Sequence, residues 1–196
     1  SAVSRGLGDV YKRQAQEDLD LQTLILQEAE ALRNNDQAQL STDLLDIALD
    51  HGCDSLWLLH NKALALQKLG QLEAAIAIWQ GLTHHEIEGF IDNIRSSLGH
   101  AEQEQVLRRA QQAEESGSLE IAIETLTAAL LNKPEQEAVE TKLKVMLRKR
   151  RHGGKVPAET SPMEDHLDEL DLNHIFLMQA EERLASANYN QSAEHN

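Results

Sequence analysis

The chain has 196 residues and a formal net charge of -15, with three prolines, one cysteine and 3% aromatic residues. This length favours one ordered domain with tails over two compact domains. Ala, Leu, Glu and Gln dominate, and no run of residues alternates as a strand does, so we expect an all-helical protein without a sheet. The acidic balance opposes tight general binding to nucleic acid, because most of the surface repels phosphate, and leaves only a local exception open.

Cysteine usage and hydropathy indicate the compartment. Cys53 is the only cysteine, so a disulfide within the chain and a four-thiolate zinc site are excluded. No apolar run approaches the roughly 20 residues that span a membrane, and the N-terminus lacks the apolar core of a secretory signal. We therefore expect a cytoplasmic protein without membrane association.

Residues 1–14 differ from the rest of the chain in composition and periodicity, and they do not begin with Met. The string resembles translated sequencing-adapter sequence, which contaminates the ends of metagenomic gene models. An ordinary disordered arm is the alternative. We expect residues 1–15 to be disordered or artefactual, with the natural start of the protein elsewhere, and we do not interpret Gly6 and Gly8 as a nucleotide loop.

An internal repeat organises the middle of the chain. Small residues recur where two helices of a hairpin cross closely, and a glycine recurs where the first helix stops in a left-handed conformation. Each unit is therefore predicted to form a helical hairpin. The paired residues are Leu59 and Val106, Ala63 and Ala110, Leu66 and Ala113, Gly70 and Gly117, Ala75 and Ala122, and Trp79 and Leu126.

These positions resemble the tetratricopeptide repeat, which combines a bulky residue, a small residue and an aromatic with a later Ala-x-x-x-Phe and a closing proline. Pro134 closes the second unit here, but no proline closes the first. Lys62 and Arg109 replace apolar residues of the family, and Ala113 replaces the aromatic. The resemblance implies an all-α solenoid of helical hairpins over residues 16–151.

The same resemblance extends the repeat in both directions. A shift by the family's length of about 34 residues predicts an earlier unit, in which Asp36 takes the place of the turn glycine. An amphipathic spacing over residues 87–98 predicts an inserted helix, and residues 135–151 predict a capping helix that buries one apolar face. We expect about three repeats. The earlier unit comprises Ile25, Ala29, Leu32, Asp36, Ala38, Ser41, Leu45 and Ala48, and the cap buries Val139, Leu143 and Met146.

The C-terminal part is expected to contain three segments. Residues 152–171 combine two glycines, two prolines and six acids, which indicates an acidic flexible linker. Residues 172–187 predict an amphipathic helix, and residues 188–196 a disordered tail. An isolated helix this short is marginal in water, so we expect it to dock on the repeats and to compete there with a partner.

The resemblance to the tetratricopeptide repeat implies a function. Stacked hairpins form a concave groove that is lined by their first helices and that binds a protein or peptide partner. We therefore expect a non-catalytic protein-protein interaction scaffold, or adaptor, that binds a helix or extended peptide. The expected groove residues are Leu26, Glu30, Arg33, His60, Asn61, Leu64, Lys68, Leu107, Arg108, Gln111 and Glu115.

Some members of that family clamp the carboxy-terminal peptide of chaperones with Lys, Asn and Arg. Only Asn61 and Arg108 match this clamp, whereas Leu26, Glu30 and Glu104 occupy its other positions. Acids at these positions would repel a carboxylate. We therefore expect a different ligand.

Other functions have weaker signals. The sequence contains no nucleophile elbow, phosphate loop or paired catalytic carboxylates, so no catalytic residue, metal or cofactor is expected. The cluster of His84, His85, Glu86 and Glu88 lacks a third convergent ligand, and Cys53 lacks a context that would activate it. The basic run 142–155 leaves open a regulatory or nucleic-acid-associated module, although an acidic linker follows it. A fragment of a larger enzyme is the other alternative.

Overall fold

The computed structural model describes residues 2–156 and 160–193. Within these ranges the chain is helical and contains no strand, which confirms the all-α class. Eight helices follow one another along the described chain. They are α1 (Ala2–Asn34), α2 (Ala38–Asp50), α3 (Leu56–Lys68), α4 (Leu72–Leu82), α5 (Phe90–Glu115), α6 (Leu119–Asn132), α7 (Glu137–Arg151) and α8 (Pro162–Ala193).

The helices pack mainly on their neighbours in sequence, in two compact units of residues 1–102 and 103–196. In unit 1, α2 packs between α1 and α3, α3 packs on α4, and α1 also contacts α3. In unit 2, α6 packs on α7, and α8 contacts both of them. Helix α5 begins in unit 1 and ends in unit 2, and it contributes buried residues to the core of each.

Helices α1, α3 and α5 end in the same type of turn, at the positions that the repeat predicted. Gly70 and Gly117 both have a φ of 79°, and Asp36 has a φ of 59°. In each turn the next residue donates a backbone hydrogen bond to the carbonyl five positions earlier, as Gln71 does to Leu66 at 2.9 Å. This bond defines a Schellman motif, which satisfies the free carbonyls at a helix end. Asp36 therefore does take the place of glycine.

Small residues allow the helix pairs of unit 1 to approach closely. Ala63 and Ala75 are fully buried in the core that surrounds Trp79. Between α1 and α2, the Ser41 hydroxyl donates to the backbone carbonyl of Ala29 at 2.7 Å. A hydrogen bond from a short side chain to the backbone of the facing helix requires such an approach.

The core of unit 2 continues from the third hairpin into the last two helices. Ala110 of α5 and Ala122 of α6 are both fully buried. The apolar face of α7 covers them, as the capping-helix interpretation predicted, and Leu172 and Ile175 of α8 complete the cluster. The buried residues of α7 are Val139, Leu143, Met146 and Leu147.

Three predicted boundaries differ from the structure. The inserted helix is not separate, because α5 runs from Phe90 to Glu115 without a proline and accommodates Gly99. Residues 2–14 belong to α1 rather than to a disordered segment, since each glycine there lowers helix propensity by only about 1 kcal/mol. Their proposed adapter origin stays a prediction.

Helix α8 also begins earlier than Leu172, at Pro162, and continues to Ala193 rather than ending near residue 187. The start has a clear cause, because the backbone N–H of Glu164 donates to the Ser161 hydroxyl at 3.3 Å. Ser, then Pro at the first helical position, then Glu is a strong helix-start pattern. The linker is therefore shorter than predicted. Residues 157–159 of the predicted linker and residues 194–196 of the predicted tail lie outside the described residues.

Candidate functional site

The expected groove residues of unit 1 include one pair that links α1 to α3. Arg33 Nη1 donates to Asn61 Oδ1 at 3.1 Å, and Asn61 Nδ2 donates to the carbonyl of Trp57 at 3.0 Å. Burial lowers the pKa of Arg33, although the nearby charge of Glu30 acts to raise it. The structure thus brings Arg33 and Asn61 together on a half-buried surface.

Four other predicted residues of unit 1 differ in exposure. Leu26 and Leu64 are half-buried and pack against the cores of their hairpins. Glu30 and Lys68 are exposed, and Lys68 forms an ion pair with Asp36 at 3.2 Å. Of these four residues, only the two charged ones are exposed.

His60 is placed differently from its prediction. It is 7% exposed and accepts a hydrogen bond at Nδ1 from Trp79 Nε1 of the facing helix, at 3.0 Å. It therefore points toward its hairpin partner and not into a groove. Trp57 and Phe90 surround the ring, with Trp57 edge-on to Phe90 at a centroid distance of 4.9 Å. The sequence interpretation did not anticipate this aromatic cluster.

The hydrogen bond fixes the ionisation state of His60. An indole N–H is only a donor, so Nδ1 of His60 must be unprotonated and the neutral ring carries its proton on Nε2. Burial lowers the pKa of His60, and the positive charge of Arg33 lowers it further. The buried imidazole is therefore a structural acceptor.

Unit 2 contains a shallow cavity of about 600 Å³ along α5 and α7, which is widely open to solvent. Leu107 and Gln111, both expected groove residues, line one side of it. The lining from α7 combines three small or apolar residues with two charged residues, Glu137 and Lys142. The α7 residues are Glu137, Ala138, Thr141, Lys142 and Val145.

The two remaining expected residues of unit 2 do not line this cavity. Arg108 is exposed and pairs with Glu104 one turn earlier, at 2.9 Å. Glu115 accepts a hydrogen bond from Gln111 Nε2 at 2.8 Å. Glu115 therefore orients a cavity-lining amide without being part of the lining itself.

Sequence reasoning found one side of the cavity and missed the other. It assigned α7 a single apolar face, formed by the residues that cover the third hairpin. Ala138, Thr141 and Val145 follow one another at three and four residues, which is the spacing of a second helix face. That spacing could have identified the second wall.

The basic side chains of α7 are all engaged with carboxylates. Lys142 and Lys149 share Glu114 of α5, and the other partners lie mainly on α8. Acids that the sequence analysis assigned to a flexible linker therefore form much of the contact between α7 and α8. The remaining pairs are Lys144 with Glu140 and Glu169, Arg148 with Asp165 and Asp168, Arg150 with Glu120, and Arg151 with Glu164, Asp168 and Asp171.

Asp168 lies at the centre of these pairs and is 1% exposed. It accepts hydrogen bonds from Arg148 and, at 2.8 Å, from Arg151 Nη2. Although burial of Arg151 acts to lower its pKa, hydrogen bonds to Asp168, Glu164 and Asp171 raise it. The guanidinium groups therefore stay charged, and carboxylates of the same chain occupy the face that was considered for nucleic acid.

The candidate metal and thiol sites remain isolated. His84, His85, Glu86 and Glu88 are all exposed, and no group of three or more potential ligands in the described ranges is arranged to hold a metal ion. Cys53 is a half-buried free thiol. None of the described helices combines the length and apolar character needed to cross a membrane.

Comparison with known protein families, with curated proteins and with solved structures finds no match to this chain.

Proposed function

We propose that this chain is a non-catalytic scaffold of the tetratricopeptide type, which holds a helix or extended peptide of another protein against its first helices. The hairpin order supports this proposal. Each of three hairpins has small residues at its crossing and a left-handed turn after its first helix. Stacks of this kind bind partners on the surface that their first helices form.

The cavity along α5 and α7 is the observation that carries the proposal. These are the first helix of the third hairpin and the helix that follows that hairpin, so the cavity lies where the repeat architecture would place a ligand. Its volume of about 600 Å³ falls within the range of about 300–1,000 Å³ that is usual for ligand sites. Neither α6 nor α8 contributes to its lining.

The lining indicates the chemistry of the ligand. Leu107, Ala138 and Val145 provide an apolar surface, and Gln111 offers an amide to a backbone or side chain. Lys142 is already paired with Glu114 at 2.9 Å, so it does not provide a free charge for a carboxylate. We expect an apolar anchor side chain of a helix or extended peptide, flanked by polar residues.

A displayed library of random helical peptides tests this site directly. Enriched peptides should contain a large apolar residue and should bind the full chain with micromolar affinity. Ala138→Trp should weaken their binding at least tenfold, because an indole at this exposed position would fill the cavity. Isothermal titration calorimetry with the enriched peptides measures the change.

Ala77→Trp is the matched control, since Ala77 is an exposed alanine of α4 and receives the same added side chain. Its affinity for the enriched peptides should equal that of the unaltered chain. Enriched peptides that bind Ala138→Trp as tightly as the unaltered chain would contradict the assignment of the cavity, and failure to enrich any peptide would contradict the scaffold proposal.

A further inference from the structure

Helix α8 has two apolar faces, and only one of them is covered by its own chain. Leu172 and Ile175 are buried against α6 and α7. A second set of large apolar side chains lies between 52% and 67% exposed. This outer stripe consists of Met163, Leu170, Leu177 and Leu184.

The outer stripe follows a spacing of seven residues without interruption. At 3.6 residues per turn, such positions drift by about 20° per heptad, so the four side chains form one narrow stripe about 32 Å long. The same geometry places Leu172 and Ile175 on the opposite side of the helix. Packing within unit 2 therefore leaves the outer stripe exposed.

Apolar residues that repeat every seven positions on an exposed helix are the pattern of a coiled-coil seam. The other core position of the heptad holds the polar residues His166 and Asn173 in the first half of the stripe and Ala180 and Ala187 in the second half, where large and small residues alternate. Residues 181–187 are exposed throughout. A helix that extends beyond its supporting core gains stability when another helix packs along it.

The charges beside the stripe indicate which helix that is. Glu169 and Arg183 each directly precede a stripe leucine, so both occupy the same flanking position of the heptad. In an antiparallel pair of identical α8 helices centred near Phe176, Glu169 of one copy meets Arg183 of the other, and this contact occurs twice. The same register places Leu170 opposite Ala180 of the second copy.

Both flanking side chains are positioned for this contact. Glu169 forms an ion pair with Lys144 at 2.6 Å and is still about half exposed, so one carboxylate oxygen has room for a second cation. Arg183 is exposed, and its Nη1 donates a long hydrogen bond of 3.5 Å to Asn132 Oδ1. A parallel pair would instead align Glu169 with His174 of the second copy.

We propose that two copies of this chain associate through the outer stripes of their α8 helices, as an antiparallel pair in which Glu169 of each copy faces Arg183 of the other. A single helix pair of this length covers less area than a standard interface of about 1,600 Å². The dimer therefore forms reversibly, in the micromolar range. It is independent of the cavity along α5 and α7.

Sedimentation equilibrium of the full chain over a wide concentration range tests the association. The average mass should rise from that of one chain toward that of two. Leu184→Gln should raise the dissociation constant at least tenfold, because it places an amide in the seam. Since Leu184 is exposed, circular dichroism and thermal unfolding of the diluted variant should match those of the unaltered chain.

Ile121→Gln provides the matched control, because Ile121 is an equally exposed apolar residue of α6 that lies outside the stripe. It should leave the dissociation constant unchanged. A chain that remains monomeric at all concentrations overturns the proposal, and so does a dimer that Leu184→Gln does not weaken.

A charge exchange tests the orientation. Arg183→Glu should weaken the dimer, because it places two carboxylates together at each end of the seam, and Glu169→Arg added to it should restore the affinity. Restoration supports the antiparallel register. If the double variant stays as weak as Arg183→Glu alone, the antiparallel register is overturned.

Discussion

Two helix pairs of this protein differ in the side chains that are buried between them. In the pair of α3 and α4, Ala63, Ala75 and Trp79 are fully buried, and Trp79 donates a hydrogen bond to His60 within this core. In the pair of α7 and α8, the buried centre is the carboxylate Asp168, with Arg148 and Arg151 on either side. We call these the apolar seam and the ionic seam.

The difference teaches which kinds of change each contact tolerates. The stability of an apolar seam depends on close packing, since a shortened side chain buries less apolar surface and leaves a cavity. The stability of an ionic seam depends on each charge having its partner, since removal of one group leaves the others charged and partly desolvated. Each seam should therefore fail under a change that the other tolerates.

The largest expected effect is the loss of Trp79 from the apolar seam. Trp79→Ala should lower the free energy of unfolding by about 4 kcal/mol, because it removes a fully buried indole and leaves a cavity. It also removes the N–H group that donates a hydrogen bond to His60. Urea denaturation followed by circular dichroism measures the change.

Trp57→Ala is the matched control in the same aromatic cluster. Trp57 is 42% exposed, and its replacement should lower the free energy of unfolding by about 1–2 kcal/mol. Equal losses for the two variants would show that burial in the seam is not what makes Trp79 important.

The next effect concerns the ionic seam. Asp168→Ala should lower the free energy of unfolding by about 3 kcal/mol, because two partly buried guanidinium groups lose their shared carboxylate. The backbone amides of α8 should also exchange hydrogen faster, since this helix loses its central contact with α7. Urea denaturation and hydrogen exchange measure the two effects.

Asp165→Ala removes another carboxylate of α8, one that is 65% exposed and pairs with Arg148 at 2.8 Å. A solvent-exposed ion pair contributes less than about 1 kcal/mol. If Asp165→Ala and Asp168→Ala destabilised the protein equally, the total number of ion pairs rather than burial would explain the seam.

The two seams also differ in how far the sequence could predict them. Gly70 and Gly117 align when the sequences of the two hairpins are compared, and the turn conformation explains why both are glycine. The small residues that face each other recur with a regular spacing. Even Asp36 could be assigned to its turn, because aspartate tolerates the left-handed conformation. The local geometry of the hairpins was therefore predictable.

The ionic seam was not predictable in the same way. A run of acids after two glycines has the composition of a flexible linker, and nothing local indicates that Asp168 is buried. Its position depends on a tertiary match with Arg148 and Arg151 of another helix. The start of α8, by contrast, has a local signal in the Ser-Pro-x-Glu pattern of residues 161–164. The linker-like composition of the segment outweighed that signal in the sequence analysis.

The predicted groove shows the same limit. Arg33 and Asn61 were placed on the first helices by repeat register, and they do meet. His60 has the same register but is buried, because its ring accepts a hydrogen bond from the facing helix. Repeat register identifies the helix and the approximate face on which a residue lies. For a residue at the boundary between two faces, tertiary contacts determine the direction of the side chain.

Acid should affect the two seams at different pH values. Because the pKa of His60 is lowered in the folded state, the unfolded chain binds more protons below about pH 6.5 and the apolar seam loses stability as the pH falls through that range. Carboxylates such as Glu114 and Glu164 have lowered pKa values. Their contribution is present above about pH 4.5 and is lost only below it.

Fluorescence separates the two responses, since both tryptophans lie in unit 1. Between about pH 7.5 and about pH 5.5, the free energy of unfolding from tryptophan fluorescence should fall by up to about 1.4 kcal/mol per pH unit. Hydrogen exchange of α8, corrected for the intrinsic pH dependence of exchange, should show unchanged protection. His60→Gln retains an acceptor that does not titrate, so a pH dependence that persists in this variant would contradict the assignment to His60.

The smallest expected effect concerns an ion pair between α6 and α7, beside the ionic seam. Arg150 and Glu120 form an ion pair at 3.5 Å, with side chains that are 38% and 65% exposed. Arg150→Gln should change the free energy of unfolding by no more than about 0.5 kcal/mol, because solvent screens this pair.

Glu120→Gln should cost slightly more than Arg150→Gln, although it breaks the same ion pair. Glu120 lies in the first turn of α6, where its charge also interacts favourably with the helix dipole by about 0.3–1 kcal/mol. Parallel urea denaturation of the two variants measures this difference. A loss near that of Asp168→Ala for either variant would mean that the seam is stabilised by overall charge balance, whereas two small losses would assign its stability to the buried carboxylate.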